Sequence, residues 1–154
     1  MQAEDGFRVV ERARGLGDGY KGQENDSIRL WHQNDGILIA SFKTKMNTIG
    51  PDVLDGLQKA VAIAEKDYSG LVIWQPGSLS GGPFSAGADL QAAMPLFMSG
   101  GAKAVEPFVK KFQDTAMCLK YAQVPVVAAL AGLALGGGVE TAIHCAHRVA
   151  HLET

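Results

Sequence analysis

The sequence predicts an α/β protein in which strands and helices alternate along one chain. Three observations lead to this prediction: two strand-like apolar runs joined by a turn signal, two amphipathic helical stretches, and a short β-type run before each of two glycine-rich turns. Because strands that alternate with helices tend to pair in parallel, we expect a substantially parallel sheet. With 154 residues, 47% of them hydrophobic, the chain can build one domain with its own core.

The domain is expected to span residues 27–154, after a linker or disordered arm at residues 1–26. That first stretch is rich in glycine and charge and has no sustained period, and only "FRVV" within it suggests a strand. From Ser27 the runs "SIRLWH" and "ILIASF" predict two strands, and Asp35–Gly36 between them is a hairpin turn signal.

The remaining elements follow from apolar spacing. Pro51 opens a helix whose apolar residues recur at helical spacing as far as Ala64, and this helix ends near Gly70. "LVIWQ" predicts the next strand, and an amphipathic helix follows at about Val105 to Tyr121. "VPVVAAL" predicts a buried strand before the second glycine-rich turn, and "RVAHL" near the end reads as a strand.

Charge and composition bear on the partners to expect. The formal net charge is −2 and the pI is near 6.0, so neither nucleic acid nor an anionic membrane surface is expected as a partner. The chain shows no apolar signal segment or run long enough to span a bilayer, so no membrane association is predicted. Cys118 and Cys145 are not spaced as a disulfide framework, which favours a cytoplasmic location.

Two glycine-rich turns, "FSAGADL" at residues 84–90 and "AGLALGGGVE" at residues 131–140, carry the chemistry that the sequence suggests. Small residues let a ligand approach the main chain, and the free N–H groups of a starting helix point outward. Two such turns could converge on one developing oxyanion, an arrangement that stabilises it strongly. The structural alternative is that both are only tight turns between strands and helices.

Both turns resemble the signature segments of the crotonase, or enoyl-CoA hydratase/isomerase, superfamily, and the resemblance runs from about Ser27 to Thr154. "KMNTIG" matches an asparagine-containing segment of that family. With "LKYAQVPVV" and "ALGGGVE" it also suggests the hydratase-like region of bacterial multifunctional 3-hydroxyacyl-CoA dehydrogenases. The resemblance implies a crotonase-like ββα superhelix that is truncated, because the family's later strands and C-terminal helices are missing.

The resemblance also implies a site. The main-chain N–H groups of Ala88 and Gly137 would form the oxyanion hole, and Glu140 would be the first of the hydratase's two catalytic glutamates. The substrate would be an acyl-CoA thioester, with no covalently bound cofactor, no metal, and NAD only if the parent protein carries a dehydrogenase domain. Residues expected to contact the coenzyme A portion are Lys43, Lys45, Ala86, Gly87 and Asp89.

The implied activity is hydration of trans-2-enoyl-CoA to 3-hydroxyacyl-CoA in fatty-acid β-oxidation, through a stabilised thioester enolate. The family's second glutamate would fall beyond Thr154, so the chain as given is expected to have little activity by itself. It is also expected to self-associate as a homo-oligomer, because apolar faces such as those of Val126 to Leu130 and Phe108 to Leu119 would have less to pack against without the missing helices. The alternatives are an enoyl-CoA isomerase, other crotonase chemistry, or a non-catalytic acyl-CoA-binding or assembly fragment.

Three rival sites are weaker. Glu140, His144, His147 and His151 would share a helical face and could bind a metal only if their helix continued, whereas "RVAHL" favours a strand. "GDGYKG" fits a dinucleotide-binding pattern but lacks the strand and helix that should flank it. Ser85 lies outside the G-x-S-x-G pattern of a hydrolase nucleophile.

Overall fold

A computed structural model of the chain describes residues 7–13, 19–152 and 154. One sheet holds seven strands in chain order, antiparallel from the first to the fourth and parallel from the fourth to the seventh. The α/β prediction is therefore confirmed. The strands are β1 (Arg8–Ala13), β2 (Gly19–Glu24), β3 (Ile28–His32), β4 (Ile37–Phe42), β5 (Gly70–Trp74), β6 (Val126–Leu130) and β7 (His147–Ala150), and the helices are α1 (Pro51–Asp67), α2 (Leu90–Lys120) and α3 (Gly137–Ile143).

The hairpin of β3 and β4 has the turn that the sequence predicted. Gly36 adopts a φ of 79°, a left-handed conformation that glycine accepts without steric cost. The Asp35 carboxylate accepts a hydrogen bond from the Ile37 N–H at 3.1 Å, and this local bond stabilises the turn. The turn thereby sets the register in which Leu30 pairs with Ala40.

Helix α1 supplies the largest part of the core. It begins with Pro51 at its first position, where the missing N–H would have had no partner in the helix, and its buried face packs on β3, β4 and β5. Gly56 allows the closest approach, because a Cβ there would lie 2.3 Å from the Ile28 Cγ2 atom. Leu54 and Leu57 are completely buried beside it.

The parallel half of the sheet determines where the site can form. Strands β4, β5 and β6 run in the same direction, so their carboxyl ends lie at one edge of the sheet. Each of these strands leads into a loop, at residues 43–50, 75–89 and 131–136. The two glycine-rich turns begin in the last two of these loops, so they lie beside each other at this edge. In parallel sheets this edge is where ligands bind.

The first two strands differ from the sequence predictions. Residues 8–13 and 19–24 form β1 and β2, which extend the sheet from β3, where a linker or disordered arm was predicted for residues 1–26. Their pairing rests on main-chain hydrogen bonds, which composition does not reveal. Residues 1–6 and 14–18 of that arm lie outside the described residues.

Helix α2 begins at Leu90, fifteen residues before the predicted start at Val105. Pro95 and Gly101 disfavour a continuous helix over residues 90–104. The chain resolves this conflict by a kink at Gly101, whose φ of 65° and ψ of −157° separate two helical halves. Within the described part of the chain, no helix is both long enough and apolar enough to cross a membrane.

Candidate active site

The loops after β4 and β5 are joined by a ladder of main-chain hydrogen bonds. The Ile49 N–H donates to the Gly87 carbonyl at 2.8 Å, and the Asp89 N–H donates back to the Ile49 carbonyl at 3.0 Å. The Ala86 N–H reaches the Met46 carbonyl at 3.1 Å. The first glycine-rich turn is thus held as a short parallel strand against residues 46–49, which leaves the Ala88 N–H on its opposite side.

The second glycine-rich turn is attached to the first in the same way. The Ser85 N–H donates to the Leu133 carbonyl at 3.1 Å, and the Leu135 N–H donates to the Ser85 carbonyl at 3.0 Å. A Cβ at Gly87 would lie 2.7 Å from the Leu135 carbonyl oxygen, and the φ of Gly87 is 92°. Only glycine fits this crossing of the two loops without strain.

Ala88 and Gly137 bring two main-chain nitrogens close together. The position that a Cβ would take at residue 137 lies 3.3 Å from the Ala88 nitrogen, and covalent geometry puts it about 2.5 Å from the Gly137 nitrogen. Within the described part of the chain, neither N–H donates to a protein acceptor. Two unpaired donors beside a common point can hydrogen-bond one oxygen of a ligand.

A cavity of about 820 Å³ opens in front of these donors. One side is formed by α2, where the Phe108 and Phe112 rings meet edge to face with their centroids 6.2 Å apart. The Phe112 Cζ atom lies 2.5 Å from the position of a Cβ at Gly137, so this ring borders the donors. The wall is mainly apolar, and its other apolar members include Val109, Ala116, Met117 and Ile143.

Glu140 lines the same cavity from the first turn of α3. Its side chain is exposed, and its carboxylate has no hydrogen bond or ion pair with any residue that the structure describes. The other carboxylate on the cavity wall, Asp114, is bound by the Lys110 ammonium at 2.8 Å. Glu140 therefore keeps its carboxylate available beside the two donors.

The predicted coenzyme A contacts do not all face outward. The Lys43 ammonium donates to the Asn25 carbonyl at 2.6 Å and pairs with the buried Glu24 carboxylate at 3.4 Å, so it is used within the fold. Lys45 is exposed. The Asp89 carboxylate caps α2 by accepting from the main-chain N–H groups of residues 91 and 92.

Ala86 and Gly87 likewise have their N–H groups engaged inside the protein. Ala86 donates to the loop at residue 46, and Gly87 donates to the Ser85 hydroxyl at 3.1 Å. Sequence reasoning weighed Ser85 only as a nucleophile and missed its hydrogen bond to the turn. It assigned Phe112 to a helix face and missed its place on the cavity wall. The position of Ser85 directly before the Ala-Gly pair was a signal that a short polar side chain serves the turn.

The structure does not support the rival metal site. Helix α3 ends at Ile143, and His147 begins β7, so the helical face that would have gathered the histidines does not exist. Over residues 7–13, 19–152 and 154, no three histidine, cysteine or acidic side chains cluster as metal ligands do. The "GDGYKG" stretch lies partly outside the described residues, and its described part belongs to β2.

The sequence and fold of this chain are similar to those of known proteins. Residues 32–153 match the family model described as enoyl-CoA hydratase/isomerase. A crystal structure of an enoyl-CoA hydratase/isomerase from Xanthobacter autotrophicus Py2 superimposes with a TM-score of 0.73 at 25% identity, over 83% of this chain and 47% of that one. An enoyl-CoA hydratase from Thermoplasma volcanium GSS1 gives a TM-score of 0.70 at 26% identity, over 82% and 48%.

Curated relatives include two bacterial proteins that are much longer than this chain. One from Rickettsia felis, named "Putative fatty acid oxidation complex trifunctional enzyme", is 35% identical over 84% of this chain and 17% of its own length. One from Bacillus subtilis, named "Probable 3-hydroxyacyl-CoA dehydrogenase", is 32% identical over 80% and 15%. The chain thus spans less than a fifth of these relatives and about half of the solved structures. The family model covers most of the chain and the fold agrees with it, so this chain belongs to the enoyl-CoA hydratase/isomerase family.

Proposed function

We propose that this domain binds an acyl-CoA thioester and that the protein containing it hydrates trans-2-enoyl-CoA to 3-hydroxyacyl-CoA. The observation that carries the proposal is the meeting of two unpaired N–H groups, from Ala88 and Gly137, with the Glu140 carboxylate in one largely apolar cavity. Donors of this kind stabilise negative charge on a thioester oxygen, and the apolar wall suits an acyl chain.

The chemistry can be written for these groups. The thioester oxygen accepts hydrogen bonds from both N–H groups, which draws electron density from the conjugated double bond. Glu140 takes a proton from water while the water oxygen bonds to the β carbon, and the electron pair moves through the α carbon onto the thioester oxygen as an enolate. The enolate then collapses as the α carbon receives a proton, which the protonated Glu140 can return, and the sum is addition of one water.

The relatives support a wider setting for this reaction. Because the two bacterial relatives named above are several times longer than this chain, we propose that the parent protein is a fatty-acid β-oxidation enzyme that also carries a 3-hydroxyacyl-CoA dehydrogenase, which would use NAD. NAD-dependent oxidation of 3-hydroxybutyryl-CoA by the intact protein tests this part separately. Lys45, rather than Lys43, is the lysine of this pair available to contact a coenzyme A phosphate.

Glu140→Gln in the intact protein tests the catalytic role. Turnover of crotonyl-CoA should fall by about 10² to 10⁴-fold, the usual contribution of a general base, while affinity for the thioester stays nearly unchanged. Asp114→Asn is the matched control, since it neutralises the other cavity carboxylate, which is already paired with Lys110. Equal turnover in wild type and Glu140→Gln would show that this glutamate is not the base.

An enoyl-CoA isomerase is the second candidate, because a single unpaired carboxylate at the cavity can move a proton from one carbon to another. Product analysis distinguishes the two reactions: hydration adds the mass of water, whereas isomerisation leaves the mass unchanged and shifts the double bond. Tight binding of the thioester with neither product would identify the non-catalytic acyl-CoA-binding alternative.

A further inference from the structure

Ser85 is the residue at which the three loops of the site meet. Its main chain bonds to Leu133 and Leu135 in the second glycine-rich turn, at 3.1 and 3.0 Å. Its hydroxyl donates to the Asn47 carbonyl at 2.6 Å and accepts from the Gly87 N–H at 3.1 Å. The residue is completely buried, with 0% of its surface exposed. The side chain of Ser85 thus connects the loops after β4 and β5, and its main chain connects them to the loop after β6.

We propose that Ser85 is a positioning residue that fixes the Ala88 N–H relative to the Gly137 N–H. The inference rests on the proposed function, in which these two groups bind the thioester oxygen. Ser85 itself is not a catalytic residue, because its hydroxyl is buried and bonded to main-chain groups on both sides.

The position of Ala88 follows from the bonds on Gly87. A peptide unit is planar, with its C=O and N–H pointing in opposite directions. The Gly87 carbonyl is held by the Ile49 N–H at 2.8 Å, so the Ala88 N–H of the same peptide points the other way, toward the cavity that Ala88 lines. The Ser85 hydroxyl holds the N–H on the other side of Gly87 and so limits rotation of this peptide.

The second donor takes its position from the same residue. A Cβ at Gly138 would lie 2.8 Å from both the Ser85 Cβ atom and the Ser85 carbonyl oxygen, so the start of α3 packs directly on Ser85. Gly137, the neighbour of Gly138, is therefore placed by contact with the residue that also orients the peptide of Ala88. A shift of Ser85 changes the distance between the two donors.

Ser85→Ala tests the proposal, with Ser41→Ala as a matched control. Ser41 is also buried, donates from its hydroxyl to the Trp74 carbonyl at 2.7 Å, and accepts from the Trp31 indole N–H at 3.1 Å. Both variants lose one donor and one acceptor of the same kind, but the bonds of Ser41 join β3, β4 and β5 and none of the loops of the site. Both should lower the melting temperature.

Only Ser85→Ala should slow catalysis, by about tenfold to a hundredfold in kcat, because one oxyanion donor alone contributes about 10² to 10³. Its affinity for the thioester and the kcat of Ser41→Ala should stay within about twofold of wild type. Ser85→Cys keeps a weak donor and acceptor at the same position, so its kcat should lie between those of serine and alanine.

A spectroscopic readout separates this proposal from the proposed reaction. A conjugated aromatic enoyl-CoA absorbs at longer wavelength when hydrogen bonds polarise its carbonyl, whether or not water is added. The shift on binding should be full in wild type, Ser41→Ala and Glu140→Gln, and reduced in Ser85→Ala. That pattern supports the role of Ser85 even if the protein hydrates no enoyl-CoA, an outcome that would remove the hydratase proposal alone. A full shift in Ser85→Ala, with kcat equal to that of Ser41→Ala, would overturn the role of Ser85.

Discussion

Replacing Gly137 by alanine should separate activity from stability in this domain. The new methyl group would stand 3.3 Å from the Ala88 nitrogen, at the wall of the cavity that both residues line. A hydrogen-bonded oxyanion must come within 2.7 to 3.1 Å, roughly, of both nitrogens. A methyl group this close to the Ala88 nitrogen competes with the thioester oxygen for the same space, so the substitution should obstruct the Ala88 donor without removing it.

The effect on stability should be small. Gly137 opens α3 and has no left-handed φ, so alanine can adopt its backbone conformation. The contact that must yield is with the Phe112 Cζ atom, at 2.5 Å, and that atom is the tip of a half-buried ring that borders the cavity. Inserting the methyl group costs about 1 to 3 kcal/mol, and alanine regains up to about 1 kcal/mol of helix propensity, so the net loss is about 0 to 2 kcal/mol. The melting temperature should therefore fall by no more than about 8 °C.

The effect on activity should be large. Loss of a single oxyanion donor costs about 3 to 4 kcal/mol of transition-state stabilisation, or about 10² to 10³ in kcat. Since the methyl group obstructs the Ala88 donor, a decrease in kcat of about 10² to 10³ is expected, whereas the affinity for free coenzyme A should not change.

The measurements are steady-state turnover of crotonyl-CoA, thermal unfolding, and calorimetric binding of coenzyme A by the intact protein. Gly77→Ala is the matched control, because a Cβ at Gly77 would meet no atom within 4 Å. Its kcat and melting temperature should match wild type. A Gly137→Ala protein that turns over crotonyl-CoA as fast as wild type would show that the thioester oxygen does not lie between Ala88 and Gly137.

Three further results are expected from chemical or thermal unfolding. Gly87→Ala should cost on the order of 3 kcal/mol, because alanine is strained at a φ of 92° and its methyl group would lie 2.7 Å from the Leu135 carbonyl oxygen; an unchanged free energy of unfolding would contradict this geometry. Burial raises the pKa of the Cys145 thiol to about 12 from an ordinary value of 9.0. The thiol of the unfolded chain ionises at lower pH than the thiol of the folded protein, so the contribution of Cys145 to the free energy of unfolding should be constant below about pH 9. Between pH 9 and 12 the free energy of unfolding should fall by up to about 1.4 kcal/mol per pH unit, and Cys145→Ala should reduce this slope. Leu57→Ala, at a completely buried position of α1, should cost about 2 to 5 kcal/mol in a denaturant titration, and a value below about 1 kcal/mol would show that the core has room to collapse.

The sequence was informative wherever local chemistry fixes local structure. Asp35–Gly36 predicted the hairpin, Pro51 predicted the start of α1, and "VPVVAAL" predicted a strand, all of which the structure confirms. The start of α3 at Gly137 also follows from its turn. These features depend on φ preferences and apolar spacing within a few residues, so they can be predicted before the fold is known.

Features that depend on distant partners could not be predicted in this way. The strand at Arg8–Ala13 exists through pairing with β2, which itself pairs with β3. The use of Lys43 inside the fold depends on Glu24, nineteen positions earlier in the chain and fully buried. The hydroxyl of Ser85 serves Asn47, thirty-eight positions away. The residues next to Lys43 and Ser85 in the sequence do not indicate these distant partners.

A main-chain donor has a consequence for how this site tolerates genetic change. Every residue except proline carries the N–H that Ala88 presents, so most substitutions at this codon alter the shape of the cavity wall and leave the donor in place. An alanine codon becomes a proline codon by one base change, and that single replacement removes the N–H donor. The harmful variants of such a site are therefore expected mostly at the neighbouring glycines, which shape the main chain, while Ala88, which binds the thioester oxygen in the proposed function, can vary.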